Sequence, residues 1–183
     1  MTSLLETVDP DGLLEFSVVF TDRSLNHMSQ KFQKVMCDIS SLLKEVYNAH
    51  AVTIVPGGGT FGMEAVCRQF AVDKEILIIR NGWFSYRWSQ ILESGNFSNN
   101  ITVMKAHQTE NHEHAPFSPP RIDEVVKNIR TLKPKIIFAP HVETSAGVIL
   151  PDDYLKALTT EAHDVGAIVV LDCVASGCAW VNM

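Results

Sequence analysis

The stretch Ala51-Val52-Thr53-Ile54-Val55-Pro56-Gly57-Gly58-Gly59-Thr60 decides how the chain is read. A short run rich in β-branched residues leads straight into three consecutive glycines. An amphipathic pattern with Met63, Val66 and Phe70 on one face follows at once. Apolar strand, glycine turn and helix, in that order, open a β–α unit. In a parallel sheet the turn after such a strand lies at the carboxyl edge, where ligands bind. Glycines let a backbone approach a ligand closely, and the free N–H groups and dipole of a helix start favour an anion such as phosphate. Thr60 either caps the helix or offers its hydroxyl to the same anion. A cap alone needs no run of three glycines.

Working outward from this turn, strand and helix patterns alternate. On the N-terminal side Met28, Phe32, Val35, Ile39, Leu42 and Val46 step by three and four along one long helix. On the C-terminal side, residues 75–80 (Glu-Ile-Leu-Ile-Ile-Arg) read as a second strand. Phe84, Trp88 and Ile91 mark a helix stopped by Gly95, and residues 101–105 a third strand. After a polar stretch rich in His and Pro, Ile122, Val125, Val126 and Ile129 mark a helix that ends before Pro134. Residues 135–139 are the fourth strand. Tyr154, Leu155, Leu158, Ala162 and Val165 lie on a helix closed by Gly166, and residues 167–171 form the fifth strand, ending on Asp172. Strands that are apolar throughout, separated by amphipathic helices, predict an α/β fold: a mostly parallel sheet with helices on both faces, in three layers. The expected organisation is an extended N-terminal segment, residues 1–25, followed by one domain, residues 26–183, with no repeat and no linker.

Composition narrows the class. The chain has 183 residues, 46% hydrophobic and 20% charged, with a net charge of −6, the balance of a soluble globular domain. An acidic chain without a Lys/Arg cluster argues against nucleic acid or an anionic membrane as partner. No apolar run approaches the roughly 20 residues of a membrane helix, and the N-terminus lacks the charge pattern of a signal peptide. Cys37, Cys67, Cys173 and Cys178 are spaced unlike a zinc site and read as reduced, buried thiols of a cytoplasmic protein. His107, His112 and His114 run into Pro116, Pro119 and Pro120, which reads as a solvated loop, and no metal site is expected.

The glycine turn also fits a dinucleotide pattern, Gly57-x-Gly59-x-x-Gly62. A NAD site calls for an acidic residue at the end of the second strand. Arg80-Asn81 stands there instead, so an NADP-dependent enzyme, with Arg80 facing the extra phosphate, is one alternative. No Gly-Lys-Ser/Thr follows the glycines, which excludes a nucleoside-triphosphate loop.

Three further strand ends carry distinctive residues: Asn81-Gly82-Trp83-Phe84-Ser85-Tyr86-Arg87, Pro140-His141-Val142-Glu143-Thr144-Ser145-Ala146-Gly147-Val148, and Asp172-Cys173-Val174-Ala175-Ser176. With the glycine turn they resemble the class V aminotransferases, the alanine–glyoxylate and serine–pyruvate type among fold-type-I pyridoxal-phosphate enzymes, from about Thr21 to the end of the chain. The resemblance implies that Gly58, Gly59 and Thr60 hold the cofactor phosphate and that Phe84 stacks on the pyridine ring. It implies further that Thr144 lies near the phenolic oxygen, in a segment like the family's His-x-Glu-Thr/Ser-Ser-x-Gly. Asp172 then contacts the ring nitrogen, and Val174 lies beneath the ring. A carboxylate at that nitrogen favours its protonated form, the electron sink of the chemistry.

The implied reaction moves an amino group from a small amino acid, such as alanine or serine, to a 2-oxo acid, such as glyoxylate or pyruvate, in a homodimer. The family's covalent lysine lies beyond the aspartate. The 11 residues from Cys173 to Met183 contain none, and the last lysine is Lys156. By resemblance the chain is thus a partial large domain, truncated before that lysine and without the small C-terminal domain and the sheet's sixth and seventh strands. No catalytic residue is assigned, and the chain as written is expected to be a poor catalyst. A non-catalytic module that folds and oligomerises is the other alternative. Trp88 reads as a packing aromatic, Arg80 and Arg87 as surface or ion-pair residues, and His141 and Glu143 as shaping their loop.

Overall fold

The computed structural model describes residues 30–177, so the expected N-terminal segment and Met28 lie outside the described residues. The chain divides into two compact units, Met1–Ile54 with Trp180–Met183, and Val55–Ala179. The described part of the first unit, residues 30–54, contains helix α1 (Gln30–Val46), none of whose residues is buried. Its apolar stripe of Val35, Ile39, Leu42 and Val46 is exposed.

Residues 51–55 are not the strand their composition predicts. They join no ladder, and Ile54 and Val55 are exposed. β-Branched residues favour a pleated surface only where a neighbouring strand completes it, and no such neighbour pairs with them among the described residues.

The second unit is built on a four-stranded, all-parallel sheet. Helix α2 (Gly59–Phe70) leads to β1 (Ile76–Arg80), α3 (Trp83–Ser94) and β2 (Ile101–Lys105). A hairpin of β3 (His107–Gln108) and β4 (Phe117–Ser118) precedes α4 (Ile122–Leu132) and β5 (Ile136–Pro140). A second hairpin, β6 (Val142–Glu143) and β7 (Val148–Ile149), precedes α5 (Asp152–Asp164) and β8 (Ile168–Asp172). The order in the sheet is β2-β1-β5-β8. Ile78 is level with both Val103 and Phe138, and Pro140 with Asp172, so the carboxyl ends of β1, β5 and β8 open side by side.

Side chains alternate along each strand and bury both faces. Leu77, Ile79, Ile137 and Ala139 pack with Val125 and Ile129 of α4 and Leu158 and Ala162 of α5. Ile76, Ile78, Ile136 and Phe138 pack with Cys67 of α2 and Trp88 and Leu92 of α3. Trp88 stacks on Phe138 with ring centroids 4.3 Å apart, the packing role its spacing predicts. Each fully buried Val, Leu, Ile or Phe among them contributes about 1.5–3 kcal/mol, and the helices on both faces make the expected three layers.

The buried face of α3 is Ser85, Trp88, Ser89 and Leu92; of the residues that mark this helix in sequence, Ile91 packs partly buried against the same core and Phe84 is exposed. Ser85 is drawn inward by hydrogen bonds described below, which turns Phe84 outward. The two hairpins are absent from the sequence reading, because ladders of two residues per strand leave no periodic signal.

Candidate functional site

Three adjacent strand ends carry the residues singled out from sequence. After β1, Phe84 sits in the first turn of α3 and is 51% exposed. After β5, Thr144 sits in the turn of the β6–β7 hairpin, exposed. At the end of β8, half-buried Asp172 accepts the Val174 N–H on Oδ1 at 3.1 Å. It forms no ion pair among the described residues. Val174, in the following turn, is 82% exposed. Gly58, Gly59 and Thr60 start α2, also exposed.

A buried carboxylate that the sequence reading gave only a shaping role fastens these ends together. Glu143 is fully buried. It accepts the N–H groups of Phe84 and Ser85 at 3.2 and 2.8 Å and the Ser85 hydroxyl at 2.7 Å. The Ser145 hydroxyl also donates to it, at 2.5 Å, and accepts the Trp83 N–H at 2.8 Å. Glu143 and Ser145 therefore cap α3 from across the sheet edge. Burial pushes the Glu143 carboxyl up, but the hydrogen bonds from Ser145, Ser85 and the Ser85 and Phe84 N–H groups outweigh it, leaving the group below the usual carboxylate range. Gly82 is required here, since a Cβ would lie against Ser145 Oγ and the Glu143 side chain. On the other side, His141 donates its backbone N–H to the Asp172 carbonyl at 2.9 Å, and its Nδ1 lies 2.8 Å from Ser176 Oγ. Burial holds this imidazole below its ordinary pKa, against the opposing pull of Asp152. Ser85, Ser145 and Ser176 are thus structural ties that composition did not reveal, since their partners are up to 62 residues away.

The start of α2 is built differently. Its N-cap is Gly58, and no side chain caps it. A Cβ at Gly58 or Gly59 would meet nothing within 4 Å, so the protein's own packing does not require glycine there. At Gly57 a side chain would collide with Phe61, and its φ of 124° is one that L side chains rarely adopt. The loop therefore presents an open wall of two glycines before an uncapped helix N-terminus, the geometry an anion uses. Arg87 Nη1 approaches Thr60 Oγ1 at 3.4 Å and joins this turn loosely to α3.

The dinucleotide alternative loses its premises. The glycines follow no strand, and the Arg80 guanidinium lies over the Tyr86 ring at 4.9 Å with Nη1 3.3 Å from Ser89 Oγ. Lys156 is on α5, its side chain 77% exposed and 3.9 Å from Asp153. Cys37 is exposed rather than buried, whereas burial pushes the Cys67 thiol up to about 12. Among the described residues no helix is long and apolar enough to cross a membrane.

Comparison with known proteins identifies the family and the fold. Residues 14–178 match the family described as Aminotransferase class-V. The (S)-ureidoglycine–glyoxylate transaminase of Bacillus subtilis (strain 168) is 29% identical over 152 residues, which cover 80% of this chain and 33% of that protein. The chain therefore spans about a third of the length of the curated relative it matches. Among solved structures, the ureidoglycine–glyoxylate aminotransferase from Bacillus subtilis aligns with a TM-score of 0.67 at 21% identity, covering 95% of this chain and 40% of that one. The alanine–glyoxylate aminotransferase from Nostoc sp. aligns at 0.65 and 22% identity, covering 96% and 42%.

Proposed function

Because the chain belongs to the class V aminotransferases, we propose that its second unit is the cofactor-holding face of a pyridoxal-phosphate enzyme that moves an amino group from a small amino acid to a 2-oxo acid. The observation that carries the reading is the contrast between two helix starts linked by the Arg87–Thr60 contact. The start of α3 is satisfied internally by Glu143 and Ser145. That of α2 is left uncapped behind Gly58 and Gly59, and it suits a phosphate.

The remaining residues fit the rest of the group. Phe84 offers an exposed ring to one face of a pyridine, and Val174 offers an exposed apolar surface to the other. Thr144, exposed in the β6–β7 turn, offers a hydroxyl to the ring's polar edge. Asp172, at the end of the neighbouring strand, orients a carboxylate through its Val174 N–H contact and would hold a proton on the ring nitrogen. Bound there, pyridoxal phosphate supplies an electron sink for the α-carbon of an amino acid. The task of this chain is to orient and polarise. The cytoplasm as location and self-association belong to the same proposal.

Titration of the purified chain with pyridoxal phosphate, followed by absorbance, tests it. Saturable binding is expected, lost in Gly59→Val, where a side chain would fill the phosphate wall, and weakened about tenfold in Asp172→Asn, the loss of one charge-assisted hydrogen bond. Inorganic phosphate should bind the parent and Asp172→Asn alike. Equal binding by the parent and both variants, or a preference for NADPH, would overturn the assignment.

A further inference from the structure

A second concavity lies beside this face and shares none of its seven residues. It is a cleft of about 440 Å³ between the start of α3 and the β3–β4 hairpin, and Asn81, Gly82, Trp83, Pro116, Phe117 and Ser145 are among the residues that line it. No lining residue is charged.

Its one anomalous feature is Asn81. This side chain is 2% exposed, and among the described residues neither its Oδ1 nor its Nδ2 has a hydrogen-bond partner. A buried amide with both ends unmatched is a standing cost to the fold, which a leucine of similar size would avoid. Ser145 does not relieve it: its hydroxyl donates to Glu143 and accepts the Trp83 N–H, and it makes no bond to the Asn81 amide. Trp83 and Phe117 contribute large apolar faces, 61% and 44% exposed.

We propose that this cleft binds an uncharged planar molecule presenting a hydrogen-bond donor and an acceptor side by side, the edge of a carboxamide or nucleobase. An asparagine amide matches that edge with two parallel hydrogen bonds, and the aromatic walls receive the flat body. The two amide atoms are shielded from solvent, so binding requires one wall of the cleft to yield, a movement we assign to the β3–β4 hairpin. Among the described residues that wall has a ladder of two residue pairs, His107 with Ser118 and Gln108 with Phe117, backed by the Thr109 N–H and hydroxyl on the Pro116 carbonyl at 2.9 and 3.2 Å and by Gln108 Nε2 and the Ala115 N–H on the His112 carbonyl at 3.3 and 3.1 Å. So short a ladder opens at low cost.

The test uses adenine and benzamide as probes and benzoate as the charged control, by calorimetry and by amide hydrogen exchange on the 183-residue chain. Saturable binding of adenine or benzamide is expected, with slowed exchange across residues 107–118 and no binding of benzoate, for which the cleft has no cation. Asn81→Leu should unfold at a higher temperature than the parent and bind the probes at least about tenfold more weakly, the loss of a bidentate pair. The proposal is overturned by absence of saturable binding, by equal binding of benzoate, or by Asn81→Leu binding like the parent. It is also overturned if Asn81→Leu melts lower while the parent binds nothing, which would make the amide a water-bridged structural group. The exchange measurement needs no variant, so a folding defect in Asn81→Leu leaves the test intact.

Discussion

Glu143 shows how one residue converts a sequence motif into a site. Its carboxylate joins the first turn of α3 to the β6–β7 turn and receives four donors, so removing it strands several groups at once. Glu143→Ala should lower stability by about 3 kcal/mol, in the range for a buried charged acceptor and the donors left unpaired, as read by chemical denaturation. The pH dependence has a definite sign. The folded-state pKa is depressed, so the stabilisation is fully present above the unfolded value, about 4.3 for glutamate. It disappears as pH falls through the lower folded value. The stability gap between parent and Glu143→Gln should therefore be constant near neutrality and close below about pH 4.3. A gap that widened in acid would contradict the assignment. At the glycine turn the expectation is the opposite in kind: Gly59→Ala should leave stability nearly unchanged, since its Cβ meets nothing, while still disturbing phosphate.

At the scale of elements, the four strands were legible because β1 and β5 are apolar on both faces, and burial on both faces is what a parallel sheet demands. The same signal misled at residues 51–55, where composition is equally apolar but no neighbour completes a ladder. Propensity describes a surface that suits a strand, and only pairing makes one. The candidate site was legible as far as Phe84, Thr144, Asp172 and Val174, which follow the ends of β1, β5 and β8 in order, whereas Gly58 and Gly59 precede α2 without a strand before them. The ties beneath them were not, because Ser85, Ser145 and Ser176 gain meaning only from partners distant in sequence. Native-state amide exchange separates the two classes of apolar run. Residues 76–79 and 136–139 should exchange only through global unfolding, and residues 52–55 should exchange like unpaired chain. Comparable protection of both would show that residues 52–55 find a partner strand in solution.

For the molecule as a whole, the sheet has two edges and they differ. The outer edge of β2 ends in the exposed Lys105, a charge that discourages pairing with another chain. The outer edge of β8 bears no charge before Asp172, and no strand pairs with it among the described residues. Its first residue, Ile168, belongs to neither core cluster and is 49% exposed. An unpaired apolar edge strand is a template for a second copy, and the exposed stripe of α1 adds apolar surface of the kind that interfaces cover. The 183-residue chain is therefore expected to form dimers or larger assemblies whose mass rises with concentration in light scattering. Ile168→Lys places a charge on the open edge without touching either core cluster, so it should shift that equilibrium toward monomer while leaving the melting temperature of dilute protein nearly unchanged. A parent that stays monomeric at every concentration would show that the edge of β8 is protected within a single chain, and an Ile168→Lys variant that associates as strongly as the parent would move the interface elsewhere.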